Sequence, residues 1–405
     1  MRRTRHFVTG EHGAIFIQVG LAIFVLMAFN VFVLDYGMLW IARSQAQNAA
    51  DAGALAGALA RGYDERVDPP HPAGLAASIA AGVAATNLVW NQAPGVAVSF
   101  NCPAGVTGDC TRVDVHRDGN AGSNELNVLF GPILGVSDQR VRATATALTA
   151  NGNAVACMSP LALADDWVEN YDNAAEPGRE FSRYIEYGGT AGQLITPNHD
   201  DYTPPGGAFA GLVTVSANFG ESIVWEIGHA IVDPIRRERI AAIDLPGGRT
   251  FAQNMTNCSG TVIGPGGRFP LITSLHPQEI ADQLTAVYQR DPGADYDYGN
   301  NRITGSCAPA CAPISPRLLA VALFDPAKFQ LGRATGNWTQ PDVGCPTNMP
   351  CLTVTNIVGF FVHRVAPASG VGPHGHVLRY PGVTNAGAPS FVDDGSWLVT
   401  THLIR

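Results

Sequence analysis

Residues Gly13 to Leu34 read GAIFIQVGLAIFVLMAFNVFVL and carry no formal charge. At 1.5 Å per residue such a run makes a helix of about 33 Å, enough to cross a hydrocarbon layer of about 30 Å. Nothing else in the chain constrains its folding as strongly. Arg2, Arg3 and Arg5 precede the run and Asp35 follows it. The positive-inside bias then predicts a cytoplasmic N-terminus (1–12), a transmembrane helix (13–34) and a body on the far side. A cleaved signal peptide has a shorter apolar stretch, about 7–15 residues, ending at a small-x-small site. Here the run leads into Asp35-Tyr36-Gly37-Met38, so the expectation is a retained anchor. Gln18 and Asn30 stand inside the span. In lipid such side chains turn toward a partner helix, or are tolerated singly at modest cost.

The helical pattern continues beyond the membrane. Tyr36 to Arg61 is rich in good helix formers and has no proline. Ala46, Ala50 and Ala54 are i, i+4 neighbours, and Gly53 and Gly57 form a small-x3-small pair. As one helix, 13–61 would measure about 74 Å. Pro69, Pro70 and Pro72 end it. Its outer half lacks the bulk to be a core alone, so close packing against other helices or a sheet is expected through Ala46, Ala50, Gly53 and Gly57.

Asp35-x-Gly37, Arg43 and the run Gln47-Asn48-Ala49-Ala50-Asp51-Ala52-Gly53-Ala54-Leu55-Ala56 follow the apolar span at fixed offset. Span and continuation together resemble the N-terminal signature of the TadE/TadG-like proteins of the Flp/Tad pilus system. Length and the looser likeness of Ala322–Pro326, Val358–Val362 and Arg379–Gly382 resemble the TadG-type branch. The Asp-x-Ser-x-Ser signature of a von Willebrand A metal site is absent from the sequence. The resemblance implies a pilin-like arrangement, a long helix on a small antiparallel sheet. It also implies partners: the pilin, TadE-type pseudopilins and the inner-membrane platform. One departure matters. A pilin-like precursor is cut after Gly and carries Glu at the fifth mature position; with Gly13 as the cut site that position is Gln18, and with Gly10 it is Ile15. Prepilin peptidase is therefore not expected to process the chain.

With 405 residues, two or three domains are expected. Hydrophobic residues make 46 % of the chain, ample for a core, while Gly 45 and Pro 28 argue for many short strands and turns in the body. A net charge of −9 excludes a generally basic nucleic-acid binder. A second Ala-rich helix is read at 73–90. Alternation marks strands at 96–100, 112–116 and 140–150. The turn signal Asn151-Gly152-Asn153 places a boundary there. The first domain is then 35–150, helix continuation plus pilin-like α+β, and 151–405 is a β-rich second domain. Within it Pro277–Arg290 reads as a helix, and Arg317–Phe324, Leu352–Val365 and Ser396–Ile404 as strands. Leu212–Ser216 and Ile223–Ile231 are further apolar segments. The fold class is α+β.

The eight cysteines, Cys102, Cys110, Cys157, Cys258, Cys307, Cys311, Cys345 and Cys351, all follow the apolar span. That fits disulfides in an oxidising compartment. Eight cysteines allow 105 pairings. Close spacing suggests Cys102/Cys110, Cys307/Cys311 and Cys345/Cys351, leaving Cys157/Cys258. The spacings do not match zinc knuckles.

Enzyme signatures are missing: there is no Gly-x-Ser-x-Gly, His-Glu-x-x-His or Gly-x4-Gly-Lys-Ser/Thr. Asp291, Asp295 and Asp297 loosely match a calcium loop. The sixth and twelfth positions from Asp295 are Asn300 and Ser306, so a solvated acidic turn is the better reading. His199-Asp200-Asp201 and His374/His376 read as scattered surface residues rather than ligands. No catalytic, cofactor or metal residue is expected. The leading expectation is a non-enzymatic pilus-assembly component in the inner membrane, single-pass, with a periplasmic body. The alternative is a membrane-tethered adhesion or ligand-binding module of the cell envelope.

Overall fold

The computed structural model describes residues 12–63, 75–106, 108–128, 130–135, 137–168, 170, 181, 200–205, 218–225, 240–257, 259–307, 314–345, 348–365, 373–386 and 395–404. Arg2, Arg3, Arg5, His199, Leu212–Ser216, Cys258 and Cys311 lie outside the described residues, as does most of Ile223–Ile231. Two compact units emerge. The first takes in the described residues up to Ala58, from Leu75 to Leu148, and Leu403 and Ile404; the second takes in the described residues of Leu59–Tyr63 and Thr149–His402.

Helix α1 spans His12–Tyr63, 52 residues without a break, and belongs to the first unit up to Ala58. Its N-terminal half is apolar all round and exposed: Phe16 is 83 % exposed, and Phe24 and Phe29 each 63 %. It is long and apolar enough to cross a membrane. The character changes after Leu34. Ala42, Ala46, Ala50, Ala54 and Ala58 recur every four residues and are fully buried. That spacing keeps one face of the helix toward a core.

The core is supplied by helix α2 (Leu75–Thr86) and an antiparallel sheet. Strands β1 (Gly95–Ser99) and β2 (Asp109–Arg117) pair from Gly95↔His116 to Ser99↔Arg112. A short pair, β3 (Leu126–Asn127) and β4 (Asp138–Gln139), precedes β5 (Val141–Asn151), which lies beside β2. Along β5, Val141, Ala143 and Ala145 are buried while Arg142 and Thr144 are exposed. This is the period of two expected of a half-buried strand. The small residues of β5, with Val113 and Val115 of β2 and Ala80 and Ala84 of α2, join the alanine face of α1 in one cluster.

The second unit centres on a mixed sheet. Its strands are β6 (Leu161–Ala164), β7 (Ser222–Val224), β8 (Ala241–Ala242), β9 (Arg268–Pro270), β12 (Leu318–Phe324), β13 (Cys351–Arg364) and β14 (His374–Leu378). The order is β7-β14-β13-β12-β6-β8, with β9 on the early part of β13. Strands β10 (Asp295–Asp297) and β11 (Arg302–Thr304) form a separate hairpin. Strand β15 (Tyr380–Pro381) runs parallel to β16 (Leu398–Ile404).

Strands β12 and β13 are buried on both faces, which explains their near-continuous apolar sequences. Ala320, Ala322, Phe324, Ile357 and Phe361 serve one core; Val321, Leu323, Val358, Phe360 and Val362 serve the other. Helices cover both faces. Helix α3 (Phe251–Thr256) and helix α4 (Pro277–Gln289) pack on the second core through Phe251, Met255, Ile280, Leu284 and Val287. Helix α5 (Pro326–Thr335) packs on the first through Phe329. Pro277 opens α4, and His276 and Glu279 cap its first turn reciprocally. The structure is thus α+β, a long apolar helix followed by a β-rich region; α4 is the helix expected at 277–290, and α3 and α5 are additional to it.

Candidate functional site

The point where α1 leaves its apolar half is marked by Asp35. Its carboxylate is 9 % exposed, and both oxygens lie 3.3 Å from the Phe130 backbone N–H that they accept. About three turns further, polar residues tie the helix down. The Gln47 amide donates to Asp51 Oδ1 at 2.8 Å and to the Thr144 carbonyl of β5 at 3.3 Å. Gln45 Oε1 accepts the Trp90 N–H at 2.8 Å.

The structure brings Ala46, Ala50, Gly53 and Gly57 together on the buried face of α1. A Cβ on Gly53 would meet the Ala80 carbonyl oxygen and Ala84 Cβ, both at 2.8 Å. A Cβ on Gly57 would meet Ala80 Cβ at 2.7 Å and Thr111 Cγ2 at 2.8 Å. These small residues let α2 and β2 approach within the chain's own first unit. Gln18 and Asn30 are not among them; both are exposed on the apolar half.

The cysteines expected to pair locally do so where both are described. Cys102–Cys110 closes the β1–β2 loop with Cα atoms 5.1 Å apart, and Cys345–Cys351 opens β13 with 6.0 Å. Cys157 and Cys307 are also disulfide-bonded.

A second constellation lies in the second unit. His374 and His376, two residues apart on β14, share one face of the strand. β13 brings His363 to them. The register passes from Val362↔Gly375 to Arg364↔His374, leaving His363 as the extra residue of a β-bulge. Ligand-type atoms of the three imidazoles lie within 4.8 Å of one another. His376 is fully buried, so it is not the scattered surface residue that sequence suggested, and His363 is 3 % exposed.

Each ring has a second partner. His376 Nδ1 is 3.1 Å from the Gly220 carbonyl. His363 Nε2 is 2.7 Å from Asp295 Oδ1. His374 Nε2 meets Ser222 Oγ on β7. Tyr296 stacks on His376 at 3.8 Å between ring centroids and 10° between planes, and the Tyr298 hydroxyl is 3.3 Å from His363 Nδ1. Burial lowers the basicity of all three rings, that of His376 to about 4. They stay neutral near pH 7, the form in which imidazole binds metal.

The acidic turn is more structured than a solvated loop. Asp291 is 1 % exposed and accepts from Ser306 Oγ and Ser315 Oγ, both at 2.6 Å, and from the Cys307 N–H at 3.0 Å. Asp297 receives Gly299 N–H at 3.0 Å and the Asn300 amide at 2.7 Å. Beneath the turn, fully buried Arg317 donates to four carbonyls: Val362 at 2.8 Å, Asp291 at 3.0 Å, Ala294 at 2.6 Å and His363 at 2.5 Å. The guanidinium therefore fixes the end of β13 against the turn that carries Asp295.

The His-x-His spacing was legible in sequence. His363, eleven residues upstream, carried no such signal, since only the pairing register and the bulge bring it in.

In the first unit a helix long and apolar enough to cross a membrane packs its alanine face on a small antiparallel sheet. Residues 13–60 match the Flp pilus-assembly TadE/G-like family. The match covers the apolar half of α1 and its alanine face, and it supports a role related to Flp/Tad pilus assembly. No curated protein and no solved structure matches the chain.

Proposed function

We propose that this protein is an assembly component of a Flp/Tad pilus machine, anchored in the inner membrane by the apolar half of α1. The observation that carries the reading is a coincidence of boundaries. The family match at 13–60 covers both the exposed apolar half of α1 and its buried alanine face. The first half suits lipid or neighbouring helices, and the second fastens the anchor to a folded unit. The basic residues before the span favour a cytoplasmic N-terminus and a periplasmic body. The disulfides support an oxidising compartment for that body. The protein acts by contact rather than catalysis, and its partners are the pilin, the TadE-type pseudopilins and the inner-membrane platform.

Deleting the chain in its own cell tests this. Surface pili should be lost or sharply reduced and return with the full chain. Normal pilus number in the deletion would refute it. Alkaline phosphatase fused after Ile404 should be active if the body is periplasmic; an inactive, stable fusion would refute that placement.

A further inference from the structure

The hydrogen bonds around the three histidines leave an electrostatic demand. A backbone carbonyl only accepts, so His376 Nδ1, at 3.1 Å from the Gly220 oxygen, carries the ring proton. In the neutral ring Nε2 is then bare. A carboxylate likewise accepts, so His363 Nε2, at 2.7 Å from Asp295 Oδ1, carries a proton and Nδ1 is bare. Those two bare nitrogens face each other at 3.2 Å. Two lone pairs at that separation repel unless something positive lies against both.

A shared proton is one answer, but it would place a charge between two rings that are 3 % and 0 % exposed, at a desolvation cost. Tyr298, 3.3 Å from His363 Nδ1, can donate to one of the two nitrogens and leaves the other unanswered. A metal ion answers both. Ligand nitrogens about 2.0–2.1 Å from a tetrahedral zinc lie roughly 3.3–3.4 Å from each other. The 3.2 Å contact is close to that edge, and the third imidazole lies within the same 4.8 Å group.

We propose that His363, His374 and His376 bind a divalent transition-metal ion of the zinc class. His363 Nδ1, His376 Nε2 and a ring nitrogen of His374 are the protein ligands, with water or a small anion completing the sphere. Three neutral imidazoles select zinc, copper or nickel over magnesium or calcium. The remaining contacts have the form of an outer shell. Carboxylate–histidine and carbonyl–histidine hydrogen bonds fix tautomer and ring orientation, and Tyr296 holds the His376 plane. Bound there, the ion ties β13 to β14 and, through Asp295 and Ser222, to β10 and β7. It acts as a brace of the second unit. The proposal does not depend on the pilus reading.

The test uses the full chain in mild detergent, purified without a histidine tag and stripped with a chelator. Zinc is titrated against a chromophoric chelator, and cobalt is followed by its visible absorption. Wild type should bind one ion per chain, show the intense bands of tetrahedral cobalt, and melt at a higher temperature with zinc. His374→Gln should weaken binding tenfold or more, since a ligand is lost. Asp295→Asn, at a carboxylate whose side chain is 71 % exposed, should weaken it about 10–100-fold. Failure of wild type to bind zinc stoichiometrically at micromolar concentration would overturn the proposal. So would wild-type affinity in both variants.

Discussion

A methyl group on Gly57 of α1 would stand 2.7 Å from the Cβ of Ala80 on α2, closer than real Cβ atoms approach. The contact is made within one chain, so the small-residue face of α1 is occupied by the protein's own first unit. Gly57→Ala should therefore destabilise that unit by about 1–3 kcal/mol through overpacking. Gly82 on α2 is the control. It is exposed, and a Cβ there would meet nothing within 4 Å. Gly82→Ala should stabilise by about 0.5–1 kcal/mol. Thermal melting of the full chain in detergent reads both. Equal melting temperatures for the two variants would show that the helices do not pack as described.

Arg317 is the second test. Its guanidinium serves four carbonyls and lies 4.1 Å from the Tyr288 ring centroid and 4.8 Å from that of Phe361. Lysine has three donors at one point and cannot reproduce the planar fork. Arg317→Lys should cost at least about 3 kcal/mol, since several buried carbonyls lose their partners. Chemical denaturation measures it. A loss under about 1 kcal/mol would mean the fork is dispensable.

Asp291 gives a pH signature. Burial alone would raise its carboxyl, but hydrogen bonds from Ser306, Ser315 and the Cys307 N–H, with the charge of Arg317, hold it below the usual carboxylate range. A depressed folded-state value stabilises the protein above the unfolded value of about 3.9 and is lost as pH falls through the lowered one. Asp291→Asn should cost about 1–3 kcal/mol at pH 7, and the gap from wild type should narrow below about pH 4. Denaturation at pH 7 and at pH 3 checks the sign. A gap that widens in acid would contradict it.

The Cys102–Cys110 bridge closes a sequence separation of 8 residues. Loop-closure entropy for so short a loop is about 2–3 kcal/mol. Replacing both cysteines by alanine should lower the stability of the first unit by about that much. An unchanged melting temperature would show that the bridge contributes nothing in the folded protein.

Much of the fold was legible where local pattern and tertiary environment agree. The apolar span and the alternation of β5 follow from composition and period alone. So do the doubly buried β12 and β13 and the proline-started α4. The buried role of Ala46, Ala50, Gly53 and Gly57 was legible only as a need for close packing. Their partners, Ala80, Ala84 and Thr111, depend on tertiary placement that spacing does not encode. The histidine cluster was less legible still. His374 and His376 share a strand face, but His363 reaches them through a bulge in β13, and Asp295 through a separate hairpin. Arg317 likewise has no sequence signal, because all four of the carbonyl groups it serves are main chain.

The most direct test of the central claim is site-specific photo-crosslinking in cells that make pili. The probe replaces Phe29, exposed on the apolar half of α1. An assembly component anchored through that helix should give crosslinks to other Flp/Tad pilus proteins. A stable, membrane-inserted probe that crosslinks to none of them would contradict the assembly role.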